Sequence, residues 1–282
     1  MKVLETIDEV HREIQTLKST GKTIGLVPTM GALHQGHLQL IQASRNQCDI
    51  TIASIFVNPT QFNNPQDLKN YPRTSSSDLA KLKKSECDLV FMPSEFEMYP
   101  KKPSIEVNFG SLGNQLEGKF RPGHFDGVGI VVSKLFNIIQ PHLAFFGQKD
   151  LQQFFIIKAL VDQLNFPLKL NMVSTVREDS GLAMSSRNMR LTAEERNEAA
   201  LIYKSLLTAQ ELLLSHTSVI EVNKKVQELF NNHKCLTLEY FEIINTNDFK
   251  TTEEIIDKEN IAMCIAAEIG QVRLIDNLML IS

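Results

Sequence analysis

The chain has 282 residues with a formal net charge of −4, and 43% of its residues are hydrophobic. This length favours one large domain with a smaller one, and the composition is typical of a soluble globular protein. The slightly negative charge gives no support for binding to nucleic acid or to an anionic membrane. No apolar run could span a bilayer, and the charged first residues do not resemble a signal peptide, so we expect a cytoplasmic protein.

Strands and helices alternate through the first part of the chain. The predicted strands are short and mainly apolar, at 23–27, 50–57, 88–92, 143–146 and 168–175. Helices are expected at 5–18, 38–43, 78–84, 127–139 and 151–164, with a loop region over 93–127 and a candidate flap at 62–74. This alternation predicts an α/β fold: a Rossmann-like, doubly wound parallel sheet with helices on both faces, over residues 1–176.

The remaining residues, 177–282, show a different pattern. Thr192 with Glu195, and Ser218 with Glu221, have the spacing of capping boxes that begin helices. Apolar alternation then predicts strands over 236–245 and 261–281. Helices followed by strands indicate a second, smaller α+β domain.

The four cysteines are spread along the chain, and none has CxxC spacing. They are Cys48, Cys87, Cys235 and Cys264. This scatter argues against a metal site or a disulfide framework, so we expect buried reduced thiols.

Polar clusters follow three of the predicted strands. The glycine- and histidine-rich turn 28–37 follows the first, 58–62 the second and 147–150 a later one. The carboxyl ends of parallel strands meet at one edge of a sheet, where ligands bind in this fold class. The sequence therefore predicts one composite site at this edge.

The pattern His-x-Gly-His in the first cluster favours a phosphate site. His34 and His37 lie where a strand turns into a helix, and Gly31 and Gly36 allow close backbone approach. Two imidazoles there could donate to phosphate oxygens as pyrophosphate leaves. The alternative is a pair of ordinary histidines beside a tight turn.

Other residues in the clusters have two interpretations each. Ser185, Ser186 and Arg187 suit phosphates, although such a triplet is also common in solvated loops. Lys149 offers a positive charge, and Asp150 could contact ribose or assist a metal ion or simply cap a helix. The amides of Gln61 and Gln153 could bind a small polar substrate, or they could be ordinary surface residues. The chain has no P-loop, no GxGxxG and no nucleophile with a paired base.

His-x-Gly-His with a later Ser-Ser-Arg resembles the nucleotidyltransferase superfamily, and the longer motifs resemble the pantothenate synthetase (pantoate–β-alanine ligase) family. Those motifs are PTMGALHQGHLQL (28–40), IFVNPTQF (55–62), YPRT (71–74), LEGKFRPGHFDGV (116–128), FFGQKDLQQ (145–153) and VREDSGLAMSSRN (176–188). The resemblance implies an ATP-dependent ligase that condenses (R)-pantoate with β-alanine through a pantoyl adenylate, releasing pyrophosphate and AMP. It also implies a homodimer in which residues 177–282 act as a lid, and we expect the hinge of that lid near 177–190.

The resemblance also implies site residues. The ATP contacts would be Met30, Gly31, Ala32, Leu33, His34, Gln35, Gly36, His37, Gly147, Gln148, Lys149, Asp150, Val176, Met184, Ser185, Ser186 and Arg187. Of these, His34, His37, Lys149 and Arg187 would be catalytic, and Gln61 and Gln153 would bind pantoate and β-alanine. Mg²⁺ would be held by the ATP phosphates, with Asp150 as a candidate ligand and no dedicated metal site.

One position departs from the family pattern, because Gln148 stands where many members carry an acidic residue. We expect activity to survive, since Lys149 and Asp150 remain. Two other functions stay open from the residues alone: transfer of AMP or CMP to a phosphorylated acceptor, and a catalytically inactive nucleotide-binding regulator. The first would call for more Arg or Lys near Gln61 and Gln153, and the second for loss of the charged donors.

Overall fold

The computed structural model describes residues 1–231, 233 and 235–281. Its residues form two compact units. The first comprises Met1–Gln148 and Gln152–Ser174, and the second comprises Lys149–Leu151 and Thr175–Ser282. The first unit contains a parallel sheet and the second an antiparallel one, so each is described separately below.

The first unit is built on a six-stranded parallel sheet. Its strands are β1 (Lys2–Leu4), β2 (Ile24–Thr29), β3 (Ile50–Ile55), β4 (Leu89–Phe91), β5 (Leu143–Gly147) and β6 (Lys169–Val173). They are arranged in the order β1-β4-β3-β2-β5-β6. The chain therefore proceeds outward from β2 to β3 and β4, and then returns to place β5 on the other side of β2. The topology switches between β2 and β5.

Helices cover both faces of this sheet. They are α1 (Ile7–Ser19), α2 (Gln35–Arg45), α3 (Pro65–Asn70), α4 (Ser75–Lys84), α5 (Glu95–Met98), α6 (Glu117–Phe120), α7 (His124–Ile139) and α8 (Leu151–Gln163). Side chains of α1, α7 and α8 pack with Leu26 on one face, and side chains of α2 and α4 pack with Val27 on the other. Successive strand residues point to opposite faces, so both faces of β2 are apolar. The predicted Rossmann-like fold class is confirmed.

The loop prediction for 93–127 was wrong, and two other short elements, β1 and α3, were not predicted. The three-residue edge strand β1, which pairs with β4, is too short to give a periodic signal. The predicted loop region 93–127 contains α5, α6 and the start of α7, and the predicted flap 62–74 contains α3. The short helices escape periodicity because each is six residues or fewer.

The second unit packs two helices against an antiparallel sheet. The helices are α9 (Ala193–Leu214) and α10 (Val219–Asn231), and the strands are β7 (Leu236–Asn245), β8 (Lys250–Thr251), β9 (Ile261–Ile269) and β10 (Val272–Met279). The strand order is β10-β9-β7-β8. Thr192 and Glu195 form the predicted capping box, and Ser218 and Glu221 exchange hydrogen bonds as expected. The apolar stretch 261–281 is a hairpin that turns at Gly270. This confirms the predicted α+β character.

The cysteine prediction holds for only part of the set. Cys87 and Cys264 are buried, Cys48 is half-buried and Cys235 is exposed. Burial raises the pKa of the Cys87 thiol to about 12. Within the part of the chain that the structure describes, no helix is long and apolar enough to cross a membrane.

Candidate active site

The predicted site residues of the first unit lie around the point where its topology switches. The turn that carries His34 and His37 follows β2. Gly147 is the last residue of β5, the next strand in the sheet, and Gln148 follows it. The turn that carries Gln61 follows β3, on the other side of β2. A crevice at the carboxyl ends of the strands is where doubly wound folds bind their ligands.

His34 begins helix α2 by capping it with its own ring. Its backbone is extended, and Nδ1 accepts a hydrogen bond from the Gly36 amide at 3.1 Å. Nδ1 of His37 accepts from the His34 amide at 3.3 Å, so the two rings form a reciprocal capping box. The prediction that the helix begins after His37 was therefore wrong. A histidine takes the place of the usual Ser, Thr, Asn or Asp, and His37 lies inside the first turn.

This capping decides which ring atoms can donate. A neutral imidazole that accepts at Nδ1 carries its proton on Nε2. Both rings therefore present an Nε2–H donor, and their centroids are only 4.1 Å apart. The helix cap thus orients a pair of imidazole donors at the end of β2.

A buried carboxylate holds the loop that precedes helix α2 in place, and sequence reasoning missed it. Asp78, in the first turn of α4, is 1% exposed and accepts from the amides of Ala32 and Leu33 at 2.9 and 2.8 Å. Thr74 donates to the same carboxylate. Ala32 has a positive φ of 50°, a strained conformation that this bracing offsets. The available signal was an acidic residue on the apolar face of α4, four positions before the buried Leu82.

Five amides of the turn donate hydrogen bonds to side chains within the protein. They are those of Gly31, Ala32, Leu33, His34 and Gly36, which bond to Thr29, Asp78 and the two imidazoles. At a strand-to-helix turn, backbone N–H groups without an acceptor in the protein favour phosphate. Because these five amides already have acceptors, we expect contacts from this turn to phosphate to come from the imidazole rings rather than from these amides.

Gln61 is buried and held in a network of side chains. Asn58 Nδ2 donates to Gln61 Oε1 at 3.0 Å, and Gln61 Nε2 lies 3.2 Å from the sulfur of Met30. Tyr99 and Thr60 both donate to Asn58 Oδ1, and this fixes the orientation of the Asn58 amide. Burial raises the pKa of the Tyr99 hydroxyl, which keeps it a donor. The network joins the turn after β3 to the residue that follows β2.

Gln153 lies in the first turns of α8 and is half-buried. The neighbouring Gln152 is buried and has a structural role. It accepts from the Glu117 amide and donates to the carbonyls of Leu112 and Gln115, which ties the 112–117 segment to α8. Sequence reasoning selected Gln153 but missed Gln152, because two adjacent glutamines give no periodic signal that separates them.

The other predicted site residues belong to the second unit. Lys149 Nζ lies 3.2 Å from Asp150 Oδ1, and the Lys149 side chain is 15% exposed. Val176 accepts from the Met184 amide at 2.9 Å, and Arg177 and Ala183 form a β-bridge, so 176–184 is a tight hairpin. Ser185 caps the short 3-10 helix Ser186–Arg190 by accepting from the Arg187 amide. The structure thus brings together Val176 and the segment Met184–Arg187.

A doubly wound parallel sheet, with paired imidazole donors at its topological switch point, defines a protein of the Rossmann-like nucleotide-binding class. The chain belongs to the pantoate-beta-alanine ligase family, whose model matches residues 2–279.

Similar proteins align with this chain over nearly its full length. The pantothenate synthetases of Cytophaga hutchinsonii and Thermosipho africanus are 44% and 45% identical to this chain, and each alignment covers 99% of it and 99% and 100% of the relative. The crystal structure of pantothenate synthetase from Thermus thermophilus superposes with a TM-score of 0.94 at 36% identity, covering 100% of both chains. That of pantoate-beta-alanine ligase from Francisella tularensis, described as complexed with beta-gamma ATP and beta-alanine, gives 0.83 at 36% identity and covers 99% and 98%.

Proposed function

We propose that this chain is a pantoate–β-alanine ligase of the AMP-forming kind. It condenses (R)-pantoate with β-alanine to pantothenate through a pantoyl adenylate and releases pyrophosphate and AMP. Membership of the pantoate-beta-alanine ligase family over residues 2–279 supports the overall reaction. The observation that supports adenylate chemistry is the capped histidine pair, whose Nε2–H groups are the donors that a departing pyrophosphate requires.

In the first step, a pantoate carboxylate oxygen attacks the α-phosphorus of ATP, and the bond to the pyrophosphate oxygen breaks. The reaction brings an anion onto a polyanion, so cations must offset the repulsion. We assign this role to Lys149 and Arg187, with His34 and His37 donating to the phosphate oxygens. No covalent enzyme intermediate is involved.

We further propose that ATP is bound by the residues that the family resemblance implies. They are Met30–His37, Gly147–Asp150, Val176 and Met184–Arg187. Ala32 and Leu33 have buried side chains and amides that bond to Asp78, so their part is to shape the turn. Within Met30–His37, the polar contacts to ATP would therefore come mainly from the two rings.

In the second step, the β-alanine amine attacks the activated carbonyl, and AMP leaves with one former carboxylate oxygen. We assign Gln61 and Gln153 to the binding of pantoate and β-alanine. The bond from Asn58 to Gln61 Oε1 supports this assignment, because it directs the Nε2–H₂ donor away from Asn58. Water would hydrolyse the adenylate. The lid role of residues 177–282 stays a prediction, which limited proteolysis with and without ATP tests.

Mg²⁺ fits the donor set of this proposal. The Asp150 carboxylate is about half exposed, and Mg²⁺ commonly binds through one or two carboxylates together with substrate phosphates. Asp150 would then hold the ion beside the triphosphate, where the ion neutralises phosphate charge. Within residues 1–231, 233 and 235–281, no group of three or more His, Cys, Asp or Glu side chains could hold a metal.

The reaction is tested with the purified chain, ATP, Mg²⁺, β-alanine and pantoate labelled with ¹⁸O in its carboxylate. We expect pantothenate and AMP in equal amounts, with one ¹⁸O transferred to the AMP phosphate. Omission of β-alanine should leave pyrophosphate formation limited to about one equivalent of enzyme. AMP without ¹⁸O would refute attack by the carboxylate on the α-phosphorus, and pyrophosphate formation with other acceptors but without AMP would favour nucleotidyl transfer instead.

We also propose that the chain is a cytoplasmic homodimer that does not bind nucleic acid or membranes. The family resemblance supports the dimer, and the net charge of −4 supports the absence of nucleic-acid binding. Light scattering coupled to size-exclusion chromatography measures the oligomeric state directly, and a monomer at micromolar concentration would contradict the dimer.

A further inference from the structure

Strand β10 contacts Lys149, which lies 128 residues earlier in the chain. The side-chain amide of Asn277 donates through Nδ2 to the carbonyl oxygen of Lys149 at 2.9 Å, within the second unit. Asn277 is 2% exposed, so this hydrogen bond is shielded from water. A backbone carbonyl in a 3-10 turn, such as that of Lys149, could be satisfied by solvent. Here it is held by a buried side chain instead.

The preceding residue, Asp276, is buried and holds Arg177. The carboxylate pairs with both terminal nitrogens of the Arg177 guanidinium, with Oδ1 at 3.1 Å from one of them. The guanidinium also lies over the ring of Tyr203, with 3.7 Å between Cζ and the ring centroid. Burial raises the pKa of the Asp276 carboxyl, and the hydrogen bonds and positive charge of Arg177 act against that rise, as does the charge of Lys149.

The two side chains are also linked to each other and to the hairpin 176–184. The backbone N–H of Asn277 donates to Asp276 Oδ1 at 2.8 Å, and Arg177 donates to the Gly181 carbonyl at 3.1 Å. One dipeptide of β10 therefore contacts the segment of Lys149 on one side and the hairpin that precedes Met184 on the other.

We propose that Asn277 is a positioning residue that fixes the backbone of Lys149, so that its ammonium group is oriented toward the ATP phosphates. This inference rests on the proposed function, because it takes Lys149 as an ATP contact. A flexible lysine loses conformational entropy when it binds a phosphate. If its backbone is already fixed, less entropy is lost on binding. Neither Asn277 nor Asp276 is expected to touch the substrate.

The test is the substitution Asn277→Leu, which keeps the side-chain volume and removes the donor. We expect the dissociation constant for ATP with Mg²⁺, measured by calorimetry on the full chain, to rise by about 10-fold. The matched control is Gln210→Met. Gln210 is another amide of the second unit, and it donates to the carbonyls of Met279 and Leu280, not to a predicted site residue. The control should lower the thermal midpoint of unfolding and leave ATP affinity within about 2-fold.

A double-mutant cycle with Lys149→Met separates positioning from loss of structure. If Asn277 acts through Lys149, its effect on ATP affinity should disappear in the Lys149→Met background. Equal effects in both backgrounds, or an equal loss of affinity in Gln210→Met, would overturn the inference. If the leucine variant does not fold by circular dichroism, Asn277→Ala takes its place in the same cycle.

The wild-type assay decides the proposed function independently. A chain that binds ATP and shows the coupled cycle but makes no pantothenate would keep the positioning role and refute the reaction. Pantothenate formation without coupling between Asn277 and Lys149 would support the reaction and refute the positioning role.

Discussion

The imidazole rings of His34 and His37 each have two roles that reside on different nitrogen atoms. Nδ1 accepts from the backbone and begins helix α2, while Nε2 carries the proton that we propose each ring donates to the ATP phosphates. A side chain that caps a helix is held in one rotamer, so the donor is oriented before the ligand arrives. This division predicts that stability and activity can be separated at one residue.

Two substitutions at His37 should separate these roles. Asn places a polar atom near the Nδ1 position, whereas Gln places its amide near Nε2. We expect His37→Asn to keep the thermal midpoint close to that of the wild type while adenylate formation slows by about 10²-fold or more. His37→Gln should retain more activity and lose about 0.5–1 kcal/mol of stability through the weakened cap. Pyrophosphate release and thermal unfolding measure the two effects. If His37→Asn formed the adenylate faster than His37→Gln, the assignment of Nε2 as the donor would be refuted.

Asp78 makes a second prediction for a single residue. In Asp78→Asn, one carboxylate oxygen becomes an NH₂ group that faces a backbone N–H, so at least one buried donor loses its acceptor. We expect a loss of about 2–3 kcal/mol in the free energy of unfolding, together with weaker ATP binding. Ser76→Ala, at an exposed position of the same helix, should stay within about 0.5 kcal/mol. Chemical denaturation and calorimetry provide the measurements, and ATP affinity equal to the wild type would show that the brace does not shape the site.

Close packing between elements also shapes the turn that carries Gln61, the residue that we propose binds pantoate. Helix α7 lies against the short 3-10 helix Pro59–Gln61, and a Cβ at Gly127 would come within 2.3 Å of the Thr60 carbonyl oxygen. The Gly127 carbonyl also accepts from Asn58 Nδ2 at 3.1 Å. The glycine thus allows the helix to approach the backbone that carries Gln61.

Gly127→Ala should therefore disturb pantoate binding more than ATP binding. Alanine favours a helix by about 1 kcal/mol over glycine, but the clash with backbone atoms forces a shift that costs more than this gain. We expect the KM for pantoate to rise several-fold while the KM for ATP changes less. Gly129→Ala is the control in the same helix, because its Cβ would meet only side-chain atoms of Phe109 and Val107. Equal KM changes for both substrates would contradict this prediction.

At the scale of the whole molecule, the two compact units have separate hydrophobic cores. Cys87 lies in the core of the first unit, and Cys264 lies in the sheet of the second, whereas Cys235 is exposed. The thiols can therefore report on the folding of each unit, since a buried cysteine reacts only when its surroundings open.

Iodoacetamide labelling followed by peptide mass spectrometry tests this expectation. Only the thiolate reacts, and with a pKa of about 12 only ~10⁻⁴ of Cys87 is ionised at pH 8. We expect Cys235 to be modified first and Cys87 to be protected in the native protein, with Cys48 between them, since burial also raises the pKa of its thiol. In guanidinium, Cys87 and Cys264 should become reactive as their own units unfold. Modification of native Cys87 as fast as Cys235 would contradict the buried assignment.

The sequence by itself determined the alternation of strands and helices, the α+β pattern of residues 177–282 and the family. These properties depend on periodic burial and on contiguous motifs, both of which can be read along one dimension. Its errors were local: the start of α2, because a histidine replaced the usual cap, and the helices α3, α5 and α6, which are too short for a period.

Only the tertiary structure decided how the site residues are supported. Asp78 contacts residues 45 and 46 positions away, and Asn277 contacts Lys149 across 128 positions. Local sequence windows do not contain both partners of such a hydrogen bond, and a single Asp or Asn has no periodic signature. The tautomer of His34 and His37 likewise depends on which atoms the fold places against Nδ1, and so the donors at Nε2 became evident only in three dimensions.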